Sequence, residues 1–438
     1  MAGKTILIIA EKPSAAEKIA NALGKAEKIT KRDAYYFKVE RDGDTIFVVP
    51  AVGHLFGLRK KDKRDKYPVF DIEWAPIFEI DKKASYTKKY YENLKEIAEI
   101  ADEVVIATDY DIEGAVIGHN IYRFMLNGKK VSRMKFSTLT KEELRKAYEN
   151  QIPVDMGLTN AGLTRHYLDW YYGINLSEAL IKAVKDAGKA FSVLSIGRVQ
   201  GPMLNFLVER EKEIEKFVPV PYWQLYLKVK LQGKEYTADY TKKQIWDESE
   251  ADKIKNSITD KYALIEKIKR RPKKVPPPVP FDLTSLQTEA YSLFGYSPKQ
   301  TLDIAQSLYT NAYISYPRTS SQKLPKTLDL KGIIQKLGEQ SAYRKMSQEL
   351  LGKNLLIPHE GKKEDPAHPA IYPTGEKPKK LSSMEKKIYD LIVRRFLACF
   401  KEDAERETVT LTLNANDNKF RISGTRTIKA VSYTHLRA

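Results

Sequence analysis

Two hydrophobic patterns alternate along this chain. Thr5-Ile-Leu-Ile-Ile-Ala10 and Glu103-Val-Val-Ile-Ala-Thr108 are short unbroken apolar runs rich in β-branched residues, as in strands buried on both faces of a parallel sheet. After the first run, Ser14-Ala-Ala-Glu17 predicts a capping box that opens a helix ending at Leu23-Gly24. Further strands are predicted at 35–39, 45–49 and 133–137, helices at 86–101 and, following Asp109–Gly114, to about Leu126, and a second capping box at Thr140-Lys-Glu-Glu143. Residues 1–155 thus form one predicted α/β domain with a mostly parallel sheet. Residues 156–218 carry a helical pattern with interspersed basic residues. Alternation with period two then begins at Trp223-Gln-Leu-Tyr-Leu-Lys-Val-Lys-Leu231. Lys267-Ile-Lys-Arg-Arg-Pro-Lys-Lys-Val-Pro-Pro-Pro-Val-Pro280 predicts a stiff connector. Helices dominate 280–403, and strands resume at Glu407–Leu413 and Lys419–Ser423 around a turn at 414–418. Four domains are expected: 1–155, 156–218, 219–279 joined by 404–438, and 280–403.

Composition fits a folded chain of several domains: 438 residues, 42% hydrophobic and 30% charged. The 75 Lys and Arg outnumber the 57 Asp and Glu, and a net charge of +18 favours a polyanionic partner, nucleic acid first. A surface laced with Lys–Glu ion pairs is the competing explanation and would sit nearer neutrality. Cys399 is the only cysteine, so no intramolecular disulfide and no zinc knuckle is expected within the chain, and the compartment is expected to be reducing. No apolar run approaches ~18 residues and the N-terminus lacks a signal-peptide pattern, so no membrane association is expected. No Gly-x-x-x-x-Gly-Lys-[Ser/Thr] loop occurs, so no ATP-driven step is expected.

Candidate chemistry sits in two places. Glu11 follows the first buried run, and Asp109, Asp111 and Glu113 follow the second. The edge beyond the C-terminal ends of parallel strands is where open α/β sheets bind ligands, so these carboxylates can share a crevice. Gathered anions need a counter-charge, and oxygen-only ligands point to Mg²⁺. A calcium loop is the alternative reading of Asp-x-Asp-x-Glu-Gly, but Asn120 stands where its twelfth-position Glu belongs. An acidic loop capping a helix would also explain Glu113. The second place is Tyr313-Ile-Ser-Tyr-Pro-Arg-Thr-Ser-Ser321. Pro317 pushes Tyr316 towards extended backbone, where residues two apart share a face, so Tyr316 and Arg318 are expected to point the same way. A phenol beside a guanidinium suits attack on a phosphodiester.

Glu11-Lys-Pro-Ser14 with Asp109-x-Asp-x-Glu-Gly114 resembles the Toprim domain. Joined to Ser315-Tyr-Pro-Arg-Thr319, it resembles the type IA DNA topoisomerases, most of all their archaeal and topoisomerase III branch. Asn160–Asp169 and Leu194–Gln200 are similar to the family's helical DNA-binding motifs. Pro280–Gln287 is similar to the entry of its gate domain, and Ala367–Thr374 to its histidine motif. The resemblance implies a multidomain α/β plus α architecture. Its parts are a Rossmann-like Toprim domain, a helical DNA-binding domain, a β-rich arch and a helical gate domain, arranged as a toroid.

The same resemblance implies ATP-independent, transient cleavage of single-stranded or negatively supercoiled DNA through a 5′-phosphotyrosyl bond to Tyr316, then strand passage and re-ligation. It places the protein in the cytoplasm, on the nucleoid. Arg318 orients the phosphate, Glu11 serves the leaving oxygen as proton donor and later acceptor, Lys12 adds positive charge, and His368 lies close by. Mg²⁺ is held by Glu11, Asp109, Asp111 and Glu113. DNA is gripped by Arg165, Asp169, Ser195, Gly197, Arg198, Gln200 and Gln287. Ala115 stands where the family pattern continues with a second Glu. In the family the arch and helical domains receive chain again after the gate, so an incomplete toroid that cleaves without passing strands is expected, with Val431–Ala438 matching no family motif. Two other classes remain open: a Toprim nuclease or primase-like enzyme, and a nucleic-acid-binding protein without catalysis.

Overall fold

The computed structural model describes residues 3–62, 66–126, 128–188, 193–353 and 355–430; the octapeptide 431–438 lies outside them. The chain opens with β1 (Thr5–Ala10), α1 (Pro13–Leu23), β2 (Glu27–Lys31), β3 (Ala34–Arg41) and β4 (Asp44–Pro50). An antiparallel pair, β5 (Phe56–Lys60) and β6 (Ile72–Pro76), leads to the short helix α2 (Ile77–Ile80). Then come α3 (Lys88–Ile100), β7 (Glu103–Ala107), α4 (Ile112–Met125), β8 (Lys130–Arg133) and α5 (Lys141–Glu149). Six strands form one sheet of order β2-β3-β4-β1-β7-β8. Pairing is parallel from β4 through β1 and β7 to β8, and antiparallel at β2 and β3.

β1 lies in mid-sheet, and Leu7, Ile8, Ile9 and Ala10 are wholly buried. Leu7 and Ile9 pack with Leu94, Ile97 and Ala98 of α3 and Ile117 and Ile121 of α4. Each such side chain contributes about 1.5–3 kcal/mol on burial, which explains the absence of polar positions from the run. The structure corrects two caps. α1 begins at Pro13, one residue ahead of the expected Ser14, because proline's fixed φ suits a first helical position. α5 has Thr140 at its N-cap without a side-chain hydrogen bond. Glu143 is engaged elsewhere, accepting from the Ser137 amide at 2.5 Å and from the Thr138 hydroxyl.

The chain continues through α6 (Met156–Trp170), a π-helical turn at Tyr171–Leu176, α7 (Ser177–Asp186) and α8 (Gln200–Lys216). Then follow β9 (Tyr226–Leu231), β10 (Lys234–Tyr240), α9 (Glu248–Ser257) and β11 (Leu264–Val275). After these come α10 (Leu283–Phe294), α11 (Pro298–Thr310), α12 (Leu330–Gly338), α13 (Arg344–Leu351), α14 (Ser383–Ala398), β12 (Ala404–Ala415) and β13 (Asn418–Lys429).

Two compact units result: Met1–Glu209 with Pro280–Gln348 and Gly361–Val393, and Arg210–Val279 with Glu349–Glu360 and Arg394–Ala438. The second unit holds an antiparallel sheet of order β11-β12-β13-β10-β9 over a small core of Ala238, Leu413, Ala415 and Phe420. Its β12–β13 turn has Asn416 and Asp417 at positive φ, as a tight hairpin prefers. The expected connector at 267–280 is corrected in its first part: through Val275 the basic run is strand β11, paired with β12 from Leu264 to Val275. As an edge strand it tolerates Pro272 and a largely basic, exposed surface, which hid it from the pattern. Among the described residues, no helix is long and apolar enough to cross a membrane.

Candidate active site

The first unit builds the candidate site at one edge of its sheet. β1 and β7 are parallel neighbours with Ala10 opposite Ala107, so the chain leaves both strands side by side, at Glu11 and at Thr108-Asp109. Gly114 lets the loop after β7 close: a Cβ there would lie 2.0 Å from the Asp109 carbonyl oxygen. Asp111 caps α4, its Oδ1 accepting from the Gly114 amide at 2.7 Å. Arg133, buried at the end of β8, donates to the Asp109 carbonyl at 2.8 Å.

Electrostatics at this edge follow from crowding. Asp109 is 7% exposed, and burial followed by the Glu11 charge pushes its carboxyl up to about 7. Glu11 is raised first by burial, with Asp111 adding to the effect. Lys12 offsets part of this, its Nζ lying 3.5 Å from Glu11 Oε1 and 4.0 Å from Asp109 Oδ2. The cluster is thus short of positive charge.

Residues from α11 onward meet the same edge. α11 brings Tyr309, whose hydroxyl donates to Asp109 Oδ1 at 2.9 Å. Beyond α11 the chain is irregular but pinned: the Ser315 amide donates to the Tyr372 carbonyl, and the Tyr316 amide to the Ser137 carbonyl at 2.8 Å. Tyr316 is 2% exposed, and its hydroxyl donates to Asp111 Oδ2 at 2.5 Å. Its ring packs edge-on to Tyr309 (5.1 Å between centroids) and tilted over His368 (4.3 Å). Burial, then the Asp111 and Asp109 charges, push the Tyr316 hydroxyl well above an ordinary phenol. His368 is 3% exposed, burial lowers it to about 4, and its Nδ1 lies 3.2 Å from the Ser137 hydroxyl. Its Nε2 is buried without a hydrogen-bond partner among the described residues.

Arg318 differs from the expectation. It is exposed whereas Tyr316 is buried, and the segment is pinned at Ser137 and Tyr372.

The remaining residues lie on α4, α6 and the following loop. Glu113 is engaged by three side chains. His54 Nε2 and His166 Nε2 lie 3.0 and 3.1 Å from its Oε2, and Arg165 Nη1 lies 3.3 Å from its Oε1. Arg165 also approaches Asp169 at 3.6 Å, and Arg198 Nε donates to Asp169 at 2.7 Å. Ser195, Gly197 and Arg198 precede α8 in an irregular segment, and Gln200 is its first residue. Gln287 on α10 is occupied locally, donating to the Pro298 carbonyl at 3.0 Å.

Residues 6–139 match the family model described as the Toprim domain, and residues 153–436 match the one described as DNA topoisomerase. The chain belongs to the type IA DNA topoisomerase family. It is 49% identical to the DNA topoisomerase 1 of Pyrococcus horikoshii over 97% of its own length and 63% of that protein's. The same identity holds against the DNA topoisomerase 1 of Methanocaldococcus jannaschii, over 97% of this chain and 56% of the relative. Full-length topoisomerase I from Thermotoga maritima matches in structure with a TM-score of 0.71 at 29% identity, over 99% of this chain and 67% of that one. The chain therefore spans about three-fifths of the length of these archaeal relatives. Within this topoisomerase fold, sequence reasoning missed Tyr309, Arg133, His54 and His166. The pattern gave little sign of them: Tyr309 sits on the apolar face of α11 beside Leu308, where an aromatic residue usually means core.

Proposed function

We propose that this chain carries the cleavage centre of a type IA topoisomerase: Tyr316 breaks one DNA strand transiently and stays joined to its 5′ side. The observation that carries this reading is the contact of the Tyr316 hydroxyl with Asp111, which joins the only Ser-Tyr-Pro-Arg segment to the carboxylate edge of the sheet. Tyr316 Oη forms a bond to phosphorus, the bond to the 3′ oxygen breaks, the Asp111 carboxylate takes the phenol proton, and Glu11 gives a proton to the departing 3′ oxygen. Raised by burial and by Asp111, Glu11 is suited to hold that proton. The reverse sequence re-ligates the strand. Lys12 and Arg318 neutralise the phosphate, and His368 packs the Tyr316 ring in place.

The oxygen-only, cation-poor set of Glu11, Asp109 and Asp111 fits Mg²⁺; Glu113, expected to join it, is engaged by His54, His166 and Arg165. When bound, the ion supplies the missing positive charge beside the phosphate. Arg165, Asp169, Ser195, Gly197, Arg198, Gln200 and Gln287 hold single-stranded or underwound DNA, and no ATP is consumed because the phosphotyrosyl bond conserves the energy of the broken ester. The reaction takes place on DNA in the cytoplasm. The second observation favouring DNA is the net charge of +18.

The test uses a labelled single-stranded oligonucleotide with the protein and Mg²⁺, followed by denaturation. A protein–DNA adduct that disappears in Tyr316→Phe is expected. Free-ended product without adduct identifies a nuclease instead, retardation without cleavage a binding protein, and an adduct surviving Tyr316→Phe overturns the assignment.

A further inference from the structure

We propose that His54, Glu113 and His166 form a second divalent-cation site, suited to a borderline transition metal such as Zn²⁺ or Co²⁺ and separate from the all-carboxylate crevice. Three elements deliver these side chains. The loop after β4 turns through Val52 and Gly53, both at positive φ, and the Gly53 amide donates to the Glu11 carbonyl, which seats His54 at the sheet edge. Glu113 projects from the first turn of α4. His166 comes from α6, which lies close against α4 because residue 162 is glycine: a Cβ there would stand 2.5 Å from the Ile112 carbonyl oxygen.

One ligand atom from each of the three side chains lies within 4.8 Å of the other two, and both imidazole Nε2 atoms face the carboxylate Oε2. A tetrahedral ion with bonds of about 2.1 Å holds its ligand atoms roughly 3.4 Å apart. The observed 3.0 and 3.1 Å histidine–Glu113 separations lie close to that spacing. Trp74, 5.6 Å from the His166 ring, and His54, 4.9 Å from it, limit how that imidazole can turn. All three side chains are a quarter to a third exposed, so water or a phosphate oxygen can complete the shell.

The donor set decides the metal. Carboxylates alone suit Mg²⁺, whereas paired imidazoles favour Zn²⁺, Co²⁺ or Ni²⁺. A single cysteine argues against a thiolate site and says nothing about this one. Glu113 cannot serve both places, so filling the imidazole site holds it away from the crevice of Asp109 and Asp111.

The experiment uses the whole chain, stripped of metal with EDTA and titrated with Co²⁺ alone while visible d–d absorption is followed. One equivalent is expected to give bands that persist in excess Mg²⁺ and are abolished by Zn²⁺. Affinity is expected to fall at least about tenfold in His54→Ala and in His166→Ala, and to be kept in Glu11→Gln. X-ray absorption of the wild-type Co²⁺ complex should count two imidazoles, which keeps the proposal testable if a histidine variant does not fold. No saturable band, bands unchanged in both histidine variants, ready displacement by Mg²⁺, or fewer than two imidazoles would overturn it and leave a hydrogen-bonded His–Glu–His cluster.

Discussion

Replacing Tyr309 by Phe removes one oxygen from a fully buried position and leaves the ring packing against Tyr316 in place. Its consequence depends on the charge of Asp109, whose Oδ1 accepts the lost hydrogen bond. The hydrogen bond favours the ionised carboxylate, and burial with Glu11 opposes it, leaving Asp109 at about 7. Below that pH the folded protein holds Asp109 protonated, and the substitution removes a neutral hydrogen bond of about 0.5–1.5 kcal/mol. Above it, an ionised buried carboxylate loses a donor, costing about 1.5–3 kcal/mol. The sign follows from linkage. In both proteins Asp109 is raised above its unfolded value, so each gains stability as pH falls from 7 towards the ordinary Asp range, and the variant gains more.

Urea unfolding of both proteins in EDTA, at about pH 5.5 and about pH 8.5, should therefore show a penalty that is larger by roughly 1 kcal/mol at the higher pH. Several compact parts can unfold separately, so the comparison belongs to the transition reported by Trp74 and Trp170 in the first unit. A penalty equal at the two pH values, or larger at the lower one, would refute the assigned coupling between Tyr309 and Asp109.

Gly114→Ala places a methyl 2.0 Å from a backbone oxygen that no side-chain rotation can relieve; a loss of about 3 kcal/mol in unfolding, together with loss of the DNA adduct, is expected. His368 is buried neutral and titrates at about 4 against an ordinary 6.5. It therefore destabilises the fold as pH falls from 6.5 to 4, by about 3 kcal/mol in all, and His368→Gln should remove that loss, so that the wild-type minus variant stability drops by about this amount across the window in urea unfolding. In the second unit Glu407 bridges Arg270 of β11 and Arg426 of β13 at 3.4 and 2.8 Å. Both arginines are largely exposed and can rehydrate, so Glu407→Ala should cost about 1 kcal/mol at low salt and less at high salt, read from thermal melts.

The site was legible in unequal parts. Glu11 and Asp109 could be paired from sequence because both follow runs so uniformly apolar that only adjacent places in a buried parallel sheet suit them. Tyr316 stood out through the proline after it. Arg318 is exposed beside the buried Tyr316, and anchors from Ser137 and Tyr372, distant in sequence, hold that segment. β11 carries the pattern of a connector because an edge strand need not show an apolar face. Glu113 was grouped with its sequence neighbours, whereas its partners come from residues 54, 165 and 166.

The sequence by itself determined the α/β sheet, the carboxylates at its edge, the Ser-Tyr-Pro-Arg segment and the family, because apolar periodicity and short motifs are local properties of the chain. Tertiary structure alone decided which carboxylate faces Tyr316, that Tyr309 holds Asp109, and that Glu113 turns to two imidazoles. Those pairings join residues 53 to 205 positions apart, and no local pattern encodes which buried polar atoms end up within hydrogen-bond reach once the sheet edge and the segment after α11 have packed together.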